Sequence, residues 1–404
     1  MNTQITNIIA EQILDSRSNP TLLVTVSCAD VHGSFAVPSG ASTGAHEAHE
    51  LRDADGHGVQ NAINVCNSII APALIGHDVL DQAGIDATLL QLDGTNNKDK
   101  LGSNNTIGVS VACAKLGAAI SGMQTYEYLQ KLADIKPTQK IPHIYMNLVN
   151  GGKHAKNGLA FQEYHVVSVD SSVADAVNMG LAVQRSLENI IKSDTGVTEL
   201  VLGDEGGFAP PVTDIRKPLV YLQRAIDENG YVGKLRLALD VAASSFYSNG
   251  VYVVDDKDYT TADMVQLYAE LIAEFNLLSI EDPFNEEDFA SFAQLKQQHP
   301  GTIIMGDDLT VTNEQLVQRS IDNNSINAMI IKPNQIGTLT ETLATMQLAS
   351  NNDIKLIVSH RSGETNDDFI ADLCYAFSCF GLKSGSPIKP ERMAKYNRLI
   401  NITS

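Results

Sequence analysis

The chain has 404 residues, 43% apolar and 19% charged, the make-up of a folded protein with a real core and not of a disordered one. Its 28 lysines and arginines face 48 acids, a formal charge of −20. This excludes charge-driven binding to nucleic acid or an anionic membrane surface, which needs a cationic face. An anionic small substrate is admissible only where metal ions or a few converging Lys and Arg supply local positive charge.

The length exceeds the size at which single cores stop growing, so two domains are expected. Cys28, Cys66, Cys113, Cys374 and Cys379 are odd in number, scattered, and form no C-x-x-C pair; they read as buried thiols of a reducing compartment. The opening MNTQITNIIAEQILDSR lacks a basic and apolar leader pattern, and nowhere do about 18 apolar residues run together. The expectation is a cytoplasmic, soluble protein without integral membrane association.

In chain order, residues from Ile5 to Val37 alternate in short β-rich runs broken at Asn19-Pro20 and Gly33, which predicts an antiparallel meander. Pro38 to Gly44 is too polar to pack. Val59 to Ile70, Asp81 to Leu92 and Ser103 to Ser121 carry apolar residues at helical spacing, with a turn at Leu92-Asp93-Gly94-Thr95. Strands followed by helices predict an N-terminal α+β domain over 1–132, with a linker at Ala133 to Lys140.

From 133 to 404 the texture changes. Short apolar runs, each ending in polar residues, alternate with helix-length amphipathic stretches: LRLALD to Asp240, NLLSIED at Glu281, TIIMGDD at Asp307, AMIIKPN at Lys332 and KLIVSHRS at His360 and Arg361. The marker positions 240, 281, 307, 332 and 360 lie 41, 26, 25 and 28 residues apart, which suits one strand and one crossover helix per unit. An α/β class follows, with a C-terminal (β/α)8 barrel of parallel strands favoured over an open sheet.

In such a barrel the loop end of each strand faces the active site. The strand ends deliver Asp240, Glu281, Asp307, Lys332 and His360-Arg361 into one mouth. Three carboxylates without histidine or thiolate form a hard, all-oxygen set that selects Mg²⁺ or Mn²⁺. Lys332, one strand beyond Asp307, can have its pKa depressed by the metal field and remove a proton from carbon; pairing with Asp307 is the alternative. In LGDEGGF, Glu205 sits between glycines that permit close backbone approach to a ligand. A pKa raised by neighbouring Glu163 would make Glu205 a general acid.

These residues fall in blocks, and through them the chain resembles the enolase family over nearly its whole length: VPSGASTGAHEA (37–48), LDGTNNKDKLGSN (92–104), NGGKHAKNGLAFQEY (150–164), LGDEGGFAP (202–210), IEDPF (280–284), GDDLTVTN (306–313), IIKPNQIGTLTET (330–342) and SHRSGET (359–365). The resemblance implies an enolase-type barrel and a hydro-lyase that reversibly dehydrates 2-phosphoglycerate to phosphoenolpyruvate in glycolysis and gluconeogenesis, with two Mg²⁺ per site. It implies that Asp240, Glu281 and Asp307 hold the first ion and that Ser39 reaches the second. Lys332 would be the base and Glu205, helped by Glu163, the acid. Arg361 and Ser362 would bind phosphate, Lys383 the substrate carboxylate, and His154 and His360 would line the substrate. It also suggests a homodimer or an octamer.

Two other readings fit less of the pattern: another acid-sugar dehydratase of the superfamily, and an inactive structural relic. Departures from the family are Ser18, where glycine is usual, and Lys153 and Lys156, which make the histidine loop more basic.

Overall fold

The computed structural model describes residues 2–41, 43–135 and 141–404; Ser42 of the polar stretch and residues 136–140 of the expected linker lie outside them. The alternation near the amino terminus folds as expected into an antiparallel sheet of Asn7–Leu14, Pro20–Cys28 and Val31–Ala36. Leu22, Val24 and Val26 are buried every second residue, the mark of a sheet with one face on the core. Helix Ser103–Ile120 covers that sheet. A Cβ added to Gly33 would stand 2.5 Å from the Ala112 carbonyl oxygen, so the missing side chain is what lets helix and strand meet.

The same helix is buried at every residue from Ser103 to Ala114 because it also packs against Pro333–Ile336 and Leu339–Asn351. Several of its polar groups find partners within the protein: Asn105 Nδ2 donates to the Ala62 and Leu101 carbonyls, and Ser110 Oγ accepts from Leu339 N. The two other expected helices appear as Gln60–Val65, running on through a π turn to Leu74, and as Gln82–Asp93, which ends on Gly94 at φ 68°. Helix Thr125–Leu132 follows. Among the described residues no single helix is long and apolar enough to cross a membrane. All five cysteines are free and buried.

Ser18 adopts φ 64°, the left-handed region that costs a residue with a Cβ about 1 kcal/mol or more. It closes a turn in which the Asp15 carboxylate accepts from the backbone N–H groups of Arg17 and Asn19. Ser18→Gly is therefore expected to stabilise the protein by about 0.5–1 kcal/mol, measured as a shift of the urea midpoint; an unchanged midpoint would mean the turn holds no strain.

Eight strands close the barrel: His143–Asn150, Glu163–Ser168, Leu235–Asp240, Ser279–Glu281, Ile303–Gly306, Ala328–Ile331, Lys355–Ser359 and Gly381–Lys383, the last pairing with the first. The expectation of uniformly parallel strands needs one correction. The second strand runs antiparallel to both neighbours, because only the short segment 151–162 joins it to the first, with no room for a crossover helix. Its first residue, Glu163, thus lies at the mouth, opposite Asn150 on one side and Asp240 on the other. Below the mouth, Tyr145, Val167, Ala238, Met305, Ile330 and Ile357 fill the barrel with side chains, making a rigid floor for the site.

Candidate active site

The mouth collects polar groups from every side. Asp240 and Glu281 stand directly opposite each other on adjacent parallel strands. Between them sits the Lys383 ammonium, 3.0 Å from Asp240 Oδ2, 2.9 Å from Glu281 Oε2 and 3.3 Å from Glu163 Oε2. All four side chains are at most 4% exposed. Burial pulls the Lys383 pKa down, but Asp240, Glu163 and Glu281 more than reverse this and leave it well above its ordinary value. Burial raises Asp240, which Lys383 then brings below the usual carboxylate range. Glu281 goes the other way, raised by burial and by the Asp240 charge.

Asp307, one strand further, is turned from this cage. Its Oδ2 pairs with Lys332 Nζ and its Oδ1 accepts from Gln335 Nε2 at 2.9 Å. The three expected metal carboxylates thus flank one another without converging on one point. Among the described residues, the groups of three possible ligands that lie within 4.8 Å of one another are His154, Glu163 and Glu205, and Asp282, Asp307 and Asp308. The donor chemistry nevertheless fits a hard divalent ion: carboxylate oxygens stand on three neighbouring strand ends and already gather two ammonium groups as counter-charge.

The depressed pKa expected of Lys332 rests on the field of a bound ion, and the protein's own groups act in the other direction. Burial lowers it, yet the Asp307 carboxylate outweighs burial and the net direction is upward. Lys332 Nζ is thus paired with the Asp307 carboxylate.

The two carboxyls of the acid pair are shifted in opposite directions. Glu163 is pushed well above the carboxylate range, by burial and then by the Glu205 charge. Glu205 feels the same burial, but His360 and His154 hold it well below. The geometry accounts for this: Glu205 Oε2 accepts from Asn147 Nδ2 at 2.9 Å and faces His360 Nε2 at 3.4 Å. His165 Nε2 lies 2.9 Å from Glu163 Oε2. His154 Nδ1, buried without a hydrogen-bond partner, stands 3.5 Å from Glu163 Oε1 and 3.7 Å from Glu205 Oε1.

Two of the glycines around Glu205 also have a packing role. A Cβ on Gly203 or Gly207 would lie 2.5 or 2.7 Å from Asn150 Oδ1, so these glycines admit the Asn150 side chain, which backs the loop.

On the opposite rim Arg361 forks onto Glu47, with Nη1 and Nη2 donating to Oε2 at 2.9 and 3.0 Å. Ser362 Oγ accepts from Ala41 N at 2.7 Å. The Pro38–Gly44 stretch is anchored by reciprocal backbone bonds of 2.8 Å between Ser39 and Gly363. Ser39 is not brought to the carboxylates: its hydroxyl donates to Glu50 and accepts from Arg52 Nη2.

Gly40, His154, Gln162, Glu163, Glu205 and Lys332 join Ser359 to Ser362 and Lys383 around one cavity of about 10 Å³, room for a single water. A cleft of about 550 Å³ shares Gly40 with it and includes Arg17, Glu47, Arg52 and Asn334. Asn147, His165 and Glu47 escaped the sequence reading. The first two lie inside apolar strands, where only inward alternation beside Glu163 and Glu205 signals them. Glu47 had a signal in its HEA block, but its partner Arg361 is 314 residues away.

The family model described as "Enolase, C-terminal TIM barrel domain" matches residues 138–404, and "Enolase, N-terminal domain" matches residues 5–129. Similar curated proteins carry the name enolase. That of Methanocaldococcus jannaschii is 44% identical over 405 residues, covering 99% of this chain and 95% of the relative. That of Methanothrix thermoacetophila is 42% identical over 407 residues, covering 100% and 96%. That of Thermococcus gammatolerans is 42% identical over 409 residues, covering 99% and 94%.

Proposed function

This chain belongs to the enolase family and is a lyase, and we propose that it carries out the Mg²⁺-dependent, reversible dehydration of 2-phosphoglycerate to phosphoenolpyruvate. The observation that supports this most is the single cavity lined by Lys332, Glu163, Glu205, Arg361, Ser362 and Lys383, where a base, an acid pair and three cationic or polar anchors face one small volume. Asp240, Glu281 and Asp307 would hold the first ion. When bound, Mg²⁺ supplies positive charge for the dianion that develops on the substrate carboxylate.

The protein's own groups do the rest. Lys332 accepts the proton from the carbon beside the carboxylate once its amine has lost its own proton and released Asp307. The Glu163–Glu205 pair holds one proton between two carboxyls and passes it, through Glu205, to the departing hydroxyl. His154 and His360 enclose that hydroxyl. Lys383 meets the substrate carboxylate. Arg361, leaving or sharing Glu47, holds the phosphate with Ser362. A second ion at Ser39 requires that hydroxyl to give up Glu50 and Arg52. Segment Gly40 closes over the ligand and excludes water. We further propose a domain division at 132/133, a homodimer or octamer, and a cytoplasmic location.

The test is absorbance of phosphoenolpyruvate formed from 2-phosphoglycerate. Activity is expected with Mg²⁺, falling to background in EDTA and returning on Mg²⁺ addition. Turnover of acid sugars alone would assign a different dehydratase, and no turnover of either would leave the relic.

A further inference from the structure

Arg392 lies in the first turn of helix Pro390–Thr403 and is fully buried. Its guanidinium reaches four acceptors on two loops. Nη1 bonds His360 Nδ1 at 2.7 Å and the Arg361 carbonyl at 2.6 Å; Nη2 bonds the Ser362 carbonyl at 2.7 Å and the Asp204 carbonyl at 3.3 Å. A guanidinium has donors only and does not lose its proton in proteins. His360 Nδ1 must therefore be the acceptor, and carries no hydrogen. The neutral ring then bears its single N–H on Nε2, which faces Glu205 Oε2 at 3.4 Å.

We propose that Arg392 is a positioning residue for the dehydration step: it locks His360 in the neutral Nε2–H tautomer aimed at Glu205, and it ties the Arg361–Ser362 phosphate loop to the Asp204–Glu205 acid loop at fixed spacing. The role in catalysis rests on the function proposed above; the tautomer does not. With Nδ1 occupied, His360 turns its Nε2–H toward Glu205 Oε2, 3.4 Å away and short of a formed hydrogen bond, and does not compete with it as a base, so the proton of the acid pair stays available for the leaving hydroxyl. Burial supports this by bringing the His360 pKa down to about 3. A lysine at 392 keeps the charge but presents one compact ammonium, which cannot span four acceptors held by a planar fork.

The experiment is ¹⁵N NMR of ring-labelled histidines in the full-length, ligand-free protein, with His360 assigned by loss of its signals in His360→Asn, alongside steady-state kinetics of wild type and Arg392→Lys with Mg²⁺. Wild-type His360 is expected as a pure Nε2–H tautomer near pH 7, and Arg392→Lys as a mixture with Nδ1–H. In that variant kcat is expected to fall about 100-fold or more, the scale of misplaced acid catalysis, with KM within about threefold because ground-state contacts survive. An Nδ1–H or doubly protonated ring in wild type overturns the proposal even if the variant fails to fold. So does a variant that loses kcat with its tautomer unchanged, or keeps kcat with its tautomer scrambled. Failure of wild type to dehydrate 2-phosphoglycerate would reject the function while leaving the tautomer result standing.

Discussion

Lys332→Ala is expected to slow solvent exchange of the C2 proton of 2-phosphoglycerate by about 10²–10⁴-fold, the contribution of a positioned general base. Exchange in D₂O, followed by proton NMR, isolates this step from loss of hydroxide. The structure adds a second expectation. Because Lys332 Nζ occupies Asp307 Oδ2, its removal frees a carboxylate oxygen, so calorimetric Mg²⁺ affinity should hold or rise in the same variant. Exchange near the wild-type rate would remove Lys332 from the base role. Collapse of Mg²⁺ binding together with exchange would instead mean that the lysine organises the carboxylates.

Lys383→Met should produce the largest stability loss of any single change at the mouth. Its ammonium is the shared counter-charge of Asp240, Glu281 and Glu163, all within 3.3 Å and all buried. Methionine keeps much of the volume but leaves three carboxyl groups with no cation between them. Breaking a buried ion pair from one side costs about 3–5 kcal/mol. That loss is expected in urea unfolding with EDTA, and Mg²⁺ should recover a good part of it by supplying the missing charge. A variant as stable as wild type in EDTA would show that the acids neutralise themselves by taking up protons.

How far the sequence leads can be judged from particular residues. Asp240, Glu281, Asp307, Lys332 and His360 were legible because each closes an apolar run, and a parallel barrel turns that local pattern into a shared mouth. Glu163 obeys the opposite rule, since it opens its strand; a reversed strand looks the same as a forward one in composition. The ownership of the proton in the acid pair was illegible for another reason. It depends on which neighbours face each carboxyl, and His360, His154 and Asn147 reach Glu205 from a strand end, a loop and the interior of a strand. Likewise Ser39 belongs to a suggestive polar block, yet its hydroxyl is taken by Glu50 and Arg52, a local competition that no motif records.

The backward second strand has an evolutionary corollary. Crossover connections elsewhere in the barrel can lengthen or shorten while their helices absorb the change. The rim hairpin at 151–162 has no such slack: its far end is Glu163, locked opposite Asp240. A deletion or duplication that slid the strand by one place would swing Glu163 and His165 outward and bring Tyr164 and Val166 in. Of the barrel's connections, this one should be the least permissive of indels.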